Sequence, residues 1–106
     1  MAQFSEHLLE DGTCVITASG EVDLAVVDDL LEVALRGLSG APAVCLDLGG
    51  VSFIDSTGIG ALVLIRNEAS ARSKSMRLTN VPRPVSRLLA LIGLEDAFEI
   101  DEPPGP

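Results

Sequence analysis

The chain has 106 residues; 47% of them are hydrophobic, but only three, all phenylalanine, are aromatic. This length predicts a single domain that buries roughly 65% of the surface of its unfolded chain. The formal net charge is −9, with 16 acidic against 7 basic side chains, whereas phosphate binding needs clustered positive charge. Composition therefore argues against nucleic acid and against an anionic membrane surface as direct partners.

The sequence also gives no support to a membrane span or a metal site. The longest apolar or glycine run, residues 58–65, is far shorter than the ~20 residues of a spanning helix, and residues 1–11 lack the pattern of a signal peptide. Cys14 and Cys45 lie in strand-like runs without partner ligands, so we expect buried, reduced thiols. The single histidine, His7, cannot build a metal site. We expect a soluble cytoplasmic protein with no metal and no cofactor.

The first third of the chain predicts a hairpin followed by a helix. Two strands, over residues 3–9 and 13–19, flank an Asp-Gly turn and should pair antiparallel. Apolar residues at helical spacing predict a helix over 24–36, with Asp23 as its N-cap. Residues 38–42 break the pattern.

The rest of the chain alternates strands and helices. The nearly unbroken apolar run at 43–48 predicts a strand in the middle of a sheet, buried on both faces. The later elements are a helix from residue 56, a strand over 76–80, a helix that starts near Pro82 and Pro84 and ends at Gly93, and a short strand over 98–100. The stripe of the last helix consists of Val85, Leu88, Leu89 and Ile92. We expect residues 102–106 to be a disordered tail.

The predicted order is β-β-α-β-α-β-α-β, and alternation of strands with helices requires parallel crossovers. The fold class is therefore α/β, with an open, mixed and mainly parallel sheet and helices packed against it. We see no internal repeat and no linker, and we place the domain at residues 1–101.

A carboxylate and a hydroxyl, Asp55 and Ser56, meet where the apolar strand turns into the second helix. Nucleophilic catalysis is not supported, because Ser56 has no base nearby and the surrounding sequence lacks the GxSxG form of a nucleophile elbow. A P-loop would need a lysine in this stretch, and none is present. We therefore predict no catalytic residue and no enzymatic activity.

Ser56 can instead be modified, contact a partner or merely cap the helix. Both Asp55 and Ser56 are preferred N-cap residues, so local chemistry leaves these readings open. Two glycines in the first turns, Gly58 and Gly60, favour a function because each costs about 0.8–1 kcal/mol in a helix relative to alanine; close packing on the sheet is the other explanation. The helix is apolar nearly all round over residues 59–65, which indicates a partly exposed docking flank.

Three segments carry a family pattern: GEVD at residues 20–23, LDLGGVSFIDSTGIGAL at 46–62 and VPRPVSRLLALIGLEDAFEI at 81–100. Together they resemble the STAS domain, in particular the small anti-sigma-factor antagonists of bacteria. The middle segment is specific, because its strand, glycine pair, Phe-Ile-Asp-Ser and Gly-Ile-Gly follow the family's order and spacing. The resemblance extends from the first strand to the last.

The resemblance implies a partner-switching cycle. The unmodified antagonist binds an anti-sigma factor that is itself a serine protein kinase, and so frees a sigma factor for transcription; the kinase phosphorylates the antagonist, and a serine phosphatase resets it. Ser56 matches the phosphorylated residue, and Thr57 stands where many members carry a second serine, as a minor candidate. The resemblance also implies that residues 20–23 lie beside the phosphorylation site and share in partner contact. The implied partner surface consists of Gly20, Glu21, Asp23, Asp55, Ser56, Thr57, Gly58, Ile59, Gly60 and Val63.

Two other readings stay open. The helix N-terminus can hold a nucleotide phosphate or another small anion, as a ligand-binding module would. The chain can also be a structural STAS subunit of a stress-signalling assembly, although we expect a monomer or weak dimer. A pure capping role for Asp23 likewise remains an alternative to partner contact.

Overall fold

The protein was analysed as a computed structural model that describes residues 2–101. The strands are β1 (Gln3–Leu8), β2 (Cys14–Val22), β3 (Ala43–Ile54), β4 (Ser75–Thr79) and β5 (Glu99–Asp101), and the helices are α1 (Val27–Gly40), α2 (Ser56–Ala71) and α3 (Arg83–Leu91). The predicted order of elements is confirmed. The expected tail at 102–106 lies outside the described residues.

The five strands form one mixed sheet in the order β1-β2-β3-β4-β5. The opening hairpin is antiparallel, and its turn contains Gly12 at φ +91°. The pairs β2–β3, β3–β4 and β4–β5 are parallel. Each parallel pair is joined by one helix, and right-handed crossovers that always step in the same direction place all three helices on one face. The predicted mixed, mainly parallel sheet is therefore confirmed.

The core lies between the helices and this one face of the sheet. The sheet contributes fully buried side chains from its three central strands, and each helix contributes apolar residues to the same cluster. Its largest completely buried members are Ile16, Leu30, Leu38, Leu46, Leu48, Leu62, Ile65, Leu78 and Leu89. Aliphatic packing of this kind agrees with a sequence that has few aromatic residues.

The prediction that β3 is a central strand buried on both faces is only half right, because the opposite face of the sheet is partly open. The strand is central, as predicted, and Cys45 on this second face is 5% exposed. Asp47 on the same face is only half-buried and lies between Thr17 and Thr79 in register. Among the described residues no helix covers this face, so polar side chains such as Asp47 lie on it beside Cys45.

Two boundaries of α1 differ from the prediction. The helix begins at Val27, so Asp23 is not its N-cap. Instead the Asp23 carboxylate accepts from the Ala25 N–H at 3.0 Å, and its carbonyl accepts from the Val26 N–H at 3.1 Å, which forms a turn. At the other end the helix continues to Gly40 because Leu38 is completely buried in the core. Tertiary burial here outweighs the low helix propensity of glycine.

The central strands β2 and β3 also run further than predicted, to Val22 and Ile54. Their pairing contains an irregularity at Gly50, where an added Cβ would lie 2.9 Å from the Ser19 Cβ. Glycine at this position lets the two strands stay paired past the irregularity. The longer strands carry the chain directly to Asp55, where α2 begins.

The end of α3 follows the prediction with one exception. Gly93 has φ +76°, and the Leu94 N–H donates to the Leu89 carbonyl at 2.8 Å, the pattern of a helix that ends at glycine. Ile92, assigned to the buried stripe, is instead 48% exposed. It follows the last helical turn, where the backbone no longer keeps the spacing of the stripe.

Candidate functional site

The site is built where the ends of β2 and β3 meet the start of α2. Glu21 pairs with Phe53 in register, and the Asp55 N–H donates to the Val22 carbonyl at 3.3 Å. Residues 20–23 therefore lie beside the 55–56 junction, as the resemblance implied. Gly20 has φ +87°, a conformation that favours glycine.

Asp55 caps α2, and Ser56 does not. One oxygen of the Asp55 carboxylate accepts from the Thr57 N–H at 3.0 Å, the Gly58 N–H at 3.1 Å and the Thr57 hydroxyl at 2.5 Å. Ser56 is the first residue of the helix proper. The interpretation of Ser56 as only an N-cap residue is therefore wrong, and capping does not explain why a serine occupies this exposed position.

The two adjacent hydroxyls have different environments. Ser56 is exposed, and among the described residues its side chain takes part in no hydrogen bond. Thr57 is half-buried, and its hydroxyl donates to Asp55. Of the two hydroxyls, only that of Ser56 is open to a partner without a change in the site.

The Asp55 carboxylate stays ionised in this arrangement. The Thr57 hydroxyl, and after it the backbone N–H groups of Gly58 and Thr57, hold the pKa of Asp55 below its usual value. Hydrogen bonds to a carboxylate favour its charged form. The start of α2 therefore carries a fixed negative charge at neutral pH.

The two glycines of α2 have different structural reasons. At Gly58 an added Cβ would lie 2.6 Å from the Ile54 side chain and 2.9 Å from the Val22 carbonyl oxygen, so close packing on the sheet requires glycine. At Gly60, apart from the adjacent backbone of the helix, no atom of the described residues lies within 4 Å of the added Cβ, and the residue is exposed. Gly58 is structural, whereas Gly60 leaves space at the surface.

This space belongs to an open apolar groove of about 540 Å³ between α1 and α2. The groove is lined by Val27, Leu31, Ser56, Thr57, Ile59, Gly60, Ala61, Val63, Leu64 and Leu94. Leu64 is 57% exposed, whereas Ile59 is 2% exposed. The expected apolar flank of α2 is present, but the buried Gly58 and Ile59 offer a partner little surface.

Two acidic residues lie beside the junction. Glu21 is exposed and Asp23 is half-buried. The ion pairs formed within residues 2–101 lie elsewhere, and none includes a residue of 20–23 or 55–57. A surface with such uncompensated negative charge complements basic groups on a partner.

The remaining candidate groups lie outside this site. Cys14 and Cys45 are free and buried, as predicted, and burial raises the pKa of both thiols. His7 is exposed on β1. No group of three or more metal-ligating side chains occurs within the described part of the chain. Across residues 2–101, none of the helices combines the length and the apolar character needed to cross a membrane.

Comparison with known proteins gives consistent matches over most of the chain. The family model described as "Mlab, STAS domain" matches residues 7–100. An anti-sigma-B factor antagonist from Staphylococcus epidermidis is 29% identical over 98 residues, which cover 92% of this chain and 91% of the relative.

Solved structures share the fold. An anti-sigma factor antagonist from Mycobacterium paratuberculosis matches with a TM-score of 0.84 at 22% identity, over 97% of this chain and 87% of that one. The anti-sigma factor antagonist SpoIIAA in its unphosphorylated form matches with a TM-score of 0.78 at 20% identity, over 94% of this chain and 89% of that one. The phosphorylated form of Bacillus SpoIIAA matches with a TM-score of 0.74 at 20% identity, over 94% of this chain and 92% of that one. At these identities the structures show the fold.

We expect Gly58→Ala and Gly60→Ala to change stability in opposite directions. The methyl group at Gly58 meets Ile54 and the Val22 backbone, so the free energy of unfolding should fall by about 1–3 kcal/mol. At Gly60 the methyl group meets open space, and the better helix propensity of alanine should raise the free energy of unfolding by up to about 1 kcal/mol. Chemical denaturation of both variants measures this, and a fall of equal size in both would contradict the packing argument.

Replacing Asp55 by alanine should lower the thermal unfolding midpoint at neutral pH, because three accepted hydrogen bonds are lost. Folding lowers the pKa of this carboxyl, so its contribution is fully present above the unfolded pKa of about 3.9. It is lost as pH falls through the lower folded pKa. Thermal melts of wild type and Asp55→Ala should therefore converge in acid, with Asp96→Ala, an exposed loop variant, as the control. A constant difference at all pH values would contradict a role for the carboxylate charge.

Proposed function

Because this chain belongs to the STAS domain family, whose model matches residues 7–100, we propose that it acts as an anti-sigma-factor antagonist controlled by phosphorylation of Ser56. The observation that carries the proposal is the exposed Ser56 hydroxyl, which forms no hydrogen bond within residues 2–101 and lies in the lining of an apolar groove. The relative from Staphylococcus epidermidis is named an anti-sigma-B factor antagonist, and SpoIIAA exists in phosphorylated and unphosphorylated forms.

In the unmodified state the groove between α1 and α2 receives an apolar segment of the anti-sigma factor. Leu64 supplies exposed apolar area beside it, and Gly60 leaves room for close approach of a partner backbone. Glu21 and Asp23 lie at the same junction and meet basic groups of the partner. Complementary charge of this kind fixes the orientation of the complex and speeds association.

Phosphorylation reverses this binding without refolding the protein. A phosphate on Ser56 adds about −1.5 to −2 charges at neutral pH, on the residue that follows the ionised Asp55. The modification places this charge at an apolar groove, where the apolar segment of the partner would bury it without a counter-charge, and burial of an unpaired charge costs several kcal/mol. A hundredfold loss of affinity needs only about 2.8 kcal/mol.

The partner that adds the phosphate is, in this proposal, the anti-sigma factor acting as a serine kinase, and a serine phosphatase removes it. The antagonist is the substrate in both steps and performs no catalysis. We place this cycle in the cytoplasm, where sigma factors act on transcription.

The alternative of a nucleotide or anion site at the start of α2 has less support. The Thr57 and Gly58 N–H groups, which such an anion would need, already donate to Asp55. The carboxylate also repels an anion approaching from outside. Because these N–H groups already donate to Asp55, the helix N-terminus can neutralise a phosphate on Ser56 only in part.

The switch is tested with wild type, Ser56→Ala and Ser56→Asp. Incubated with a candidate anti-sigma kinase and ATP, wild type should gain one phosphate by intact mass and Ser56→Ala none. Ser56→Asp should bind the kinase at least about 100-fold more weakly than wild type, as measured by calorimetry. If wild type gains no phosphate and Ser56→Asp binds with unchanged affinity, the proposal is wrong.

The charge of the site is tested separately with Glu21→Gln. This variant should weaken association with the anti-sigma factor and reduce its dependence on salt, because one uncompensated carboxylate is lost. Glu99→Gln, an exposed change on β5, is the matched control. Surface plasmon resonance over a range of salt concentrations measures both. An equal effect of the two variants would point to net charge rather than to this surface.

A further inference from the structure

We propose that Asp55 selects the phosphoacceptor: its carboxylate holds the Thr57 hydroxyl and leaves the neighbouring Ser56 hydroxyl to receive the phosphate. This inference rests on the proposed function and adds to it a specificity-determining residue. Asp55 accepts no phosphate itself and acts through its hydrogen bond to Thr57, so it is a positioning residue.

The bond between Thr57 and Asp55 has the geometry of a strong interaction. The distance from Thr57 Oγ1 to Asp55 Oδ1 is 2.5 Å, at the short end of the range for a hydroxyl that donates to a carboxylate. Thr57 and Asp55 are both half-buried, so the bond is partly shielded from water. Ser56, one residue earlier, is exposed and has no such bond among the described residues.

The acceptor oxygen cannot follow Thr57 if its side chain rotates. Besides the hydroxyl, this oxygen accepts from the Thr57 and Gly58 N–H groups, which are fixed by the first turn of α2. A β-branched side chain also has few χ1 rotamers in a helix. Release of the Thr57 hydroxyl therefore requires the loss of a charge-assisted hydrogen bond with no compensating shift of the carboxylate.

The chemistry of transfer adds a second barrier at Thr57. In the kinase reaction the hydroxyl oxygen attacks the γ-phosphorus of ATP, the bond to the ADP oxygen breaks, and the hydroxyl proton passes to a base of the kinase. At Thr57 the γ-phosphate would have to approach an oxygen held 2.5 Å from the Asp55 carboxylate. The negative charges of the γ-phosphate and of the carboxylate would then repel each other. At Ser56 the hydroxyl is free to point away from Asp55.

The test uses Ser56→Ala as the background, so that only Thr57 can accept phosphate in this turn. To it we add Asp55→Asn or Asp55→Gly; asparagine and glycine are both accepted at an N-cap. Asparagine keeps a neutral acceptor, whereas glycine removes the acceptor. Site-resolved mass spectrometry after incubation with the kinase and ATP measures phosphate on Thr57.

We expect Ser56→Ala alone to show almost no phosphate on Thr57. Adding Asp55→Gly should raise the rate at Thr57 about tenfold or more, since a hydrogen bond to a charged group is lost, and Asp55→Asn should give a smaller rise. Phosphate on Thr57 of Ser56→Ala at the rate seen for wild-type Ser56 would overturn the inference. The inference also fails if adding Asp55→Gly to Ser56→Ala does not raise the rate of phosphorylation at Thr57. The control for this outcome is the single variant Asp55→Gly, in which the kinase must still phosphorylate Ser56.

A second measurement does not depend on the kinase. Scalar couplings in NMR should show a single χ1 rotamer for Thr57 in unmodified wild type and rotamer averaging in Asp55→Gly. Averaging already present in wild type would overturn the inference, whatever the kinase does. If wild type is never phosphorylated yet Thr57 is held in one rotamer, the proposed function fails while the hydrogen-bond constraint stands.

Discussion

The site depends on one carboxylate oxygen at the end of the central strand. Asp55 Oδ1 accepts from two backbone N–H groups and one hydroxyl, and these bonds define where β3 ends and α2 begins. Because they fix the helix start, Ser56 points outward, Thr57 points toward the cap, and Gly58 packs against Val22 and Ile54. The accessible hydroxyl is thus a consequence of the way in which the helix is capped.

The surroundings of Ser56 agree with the proposal that this residue is phosphorylated. The core on one face of the sheet holds α1 and α2 side by side, and Ser56 is part of the lining of the groove between them. A phosphate placed there changes charge and hydration at a rigid surface, so no movement of the backbone is needed to alter binding. The close contact of Gly58 with the sheet supports this rigidity, because α2 cannot shift without disturbing β2 and β3.

Much of the site could be predicted from the sequence, but not the roles of neighbouring residues. The junction at 55–56 and its position beside residues 20–23 followed from the motifs and their resemblance. Asp55 and Ser56 are equally good N-cap residues, so only the backbone shows which one caps. Asp23 illustrates the opposite error: its side chain is a suitable cap, yet it stabilises a turn, and α1 starts at Val27.

The sequence by itself determined the order of strands and helices, the mixed sheet and the buried cysteines, because these follow from local periodicity and apolar content. Only the tertiary structure decided which hydroxyl is free, which glycine is structural and where the groove lies. The free hydroxyl depends on which of two neighbouring residues caps α2. The other two depend on contacts between distant segments: Gly58 meets Val22 of β2, and the groove needs Val27, Gly60 and Leu94 together. The local sequence pattern does not determine these contacts, because they form only when α1 and α2 pack on the same face of the sheet.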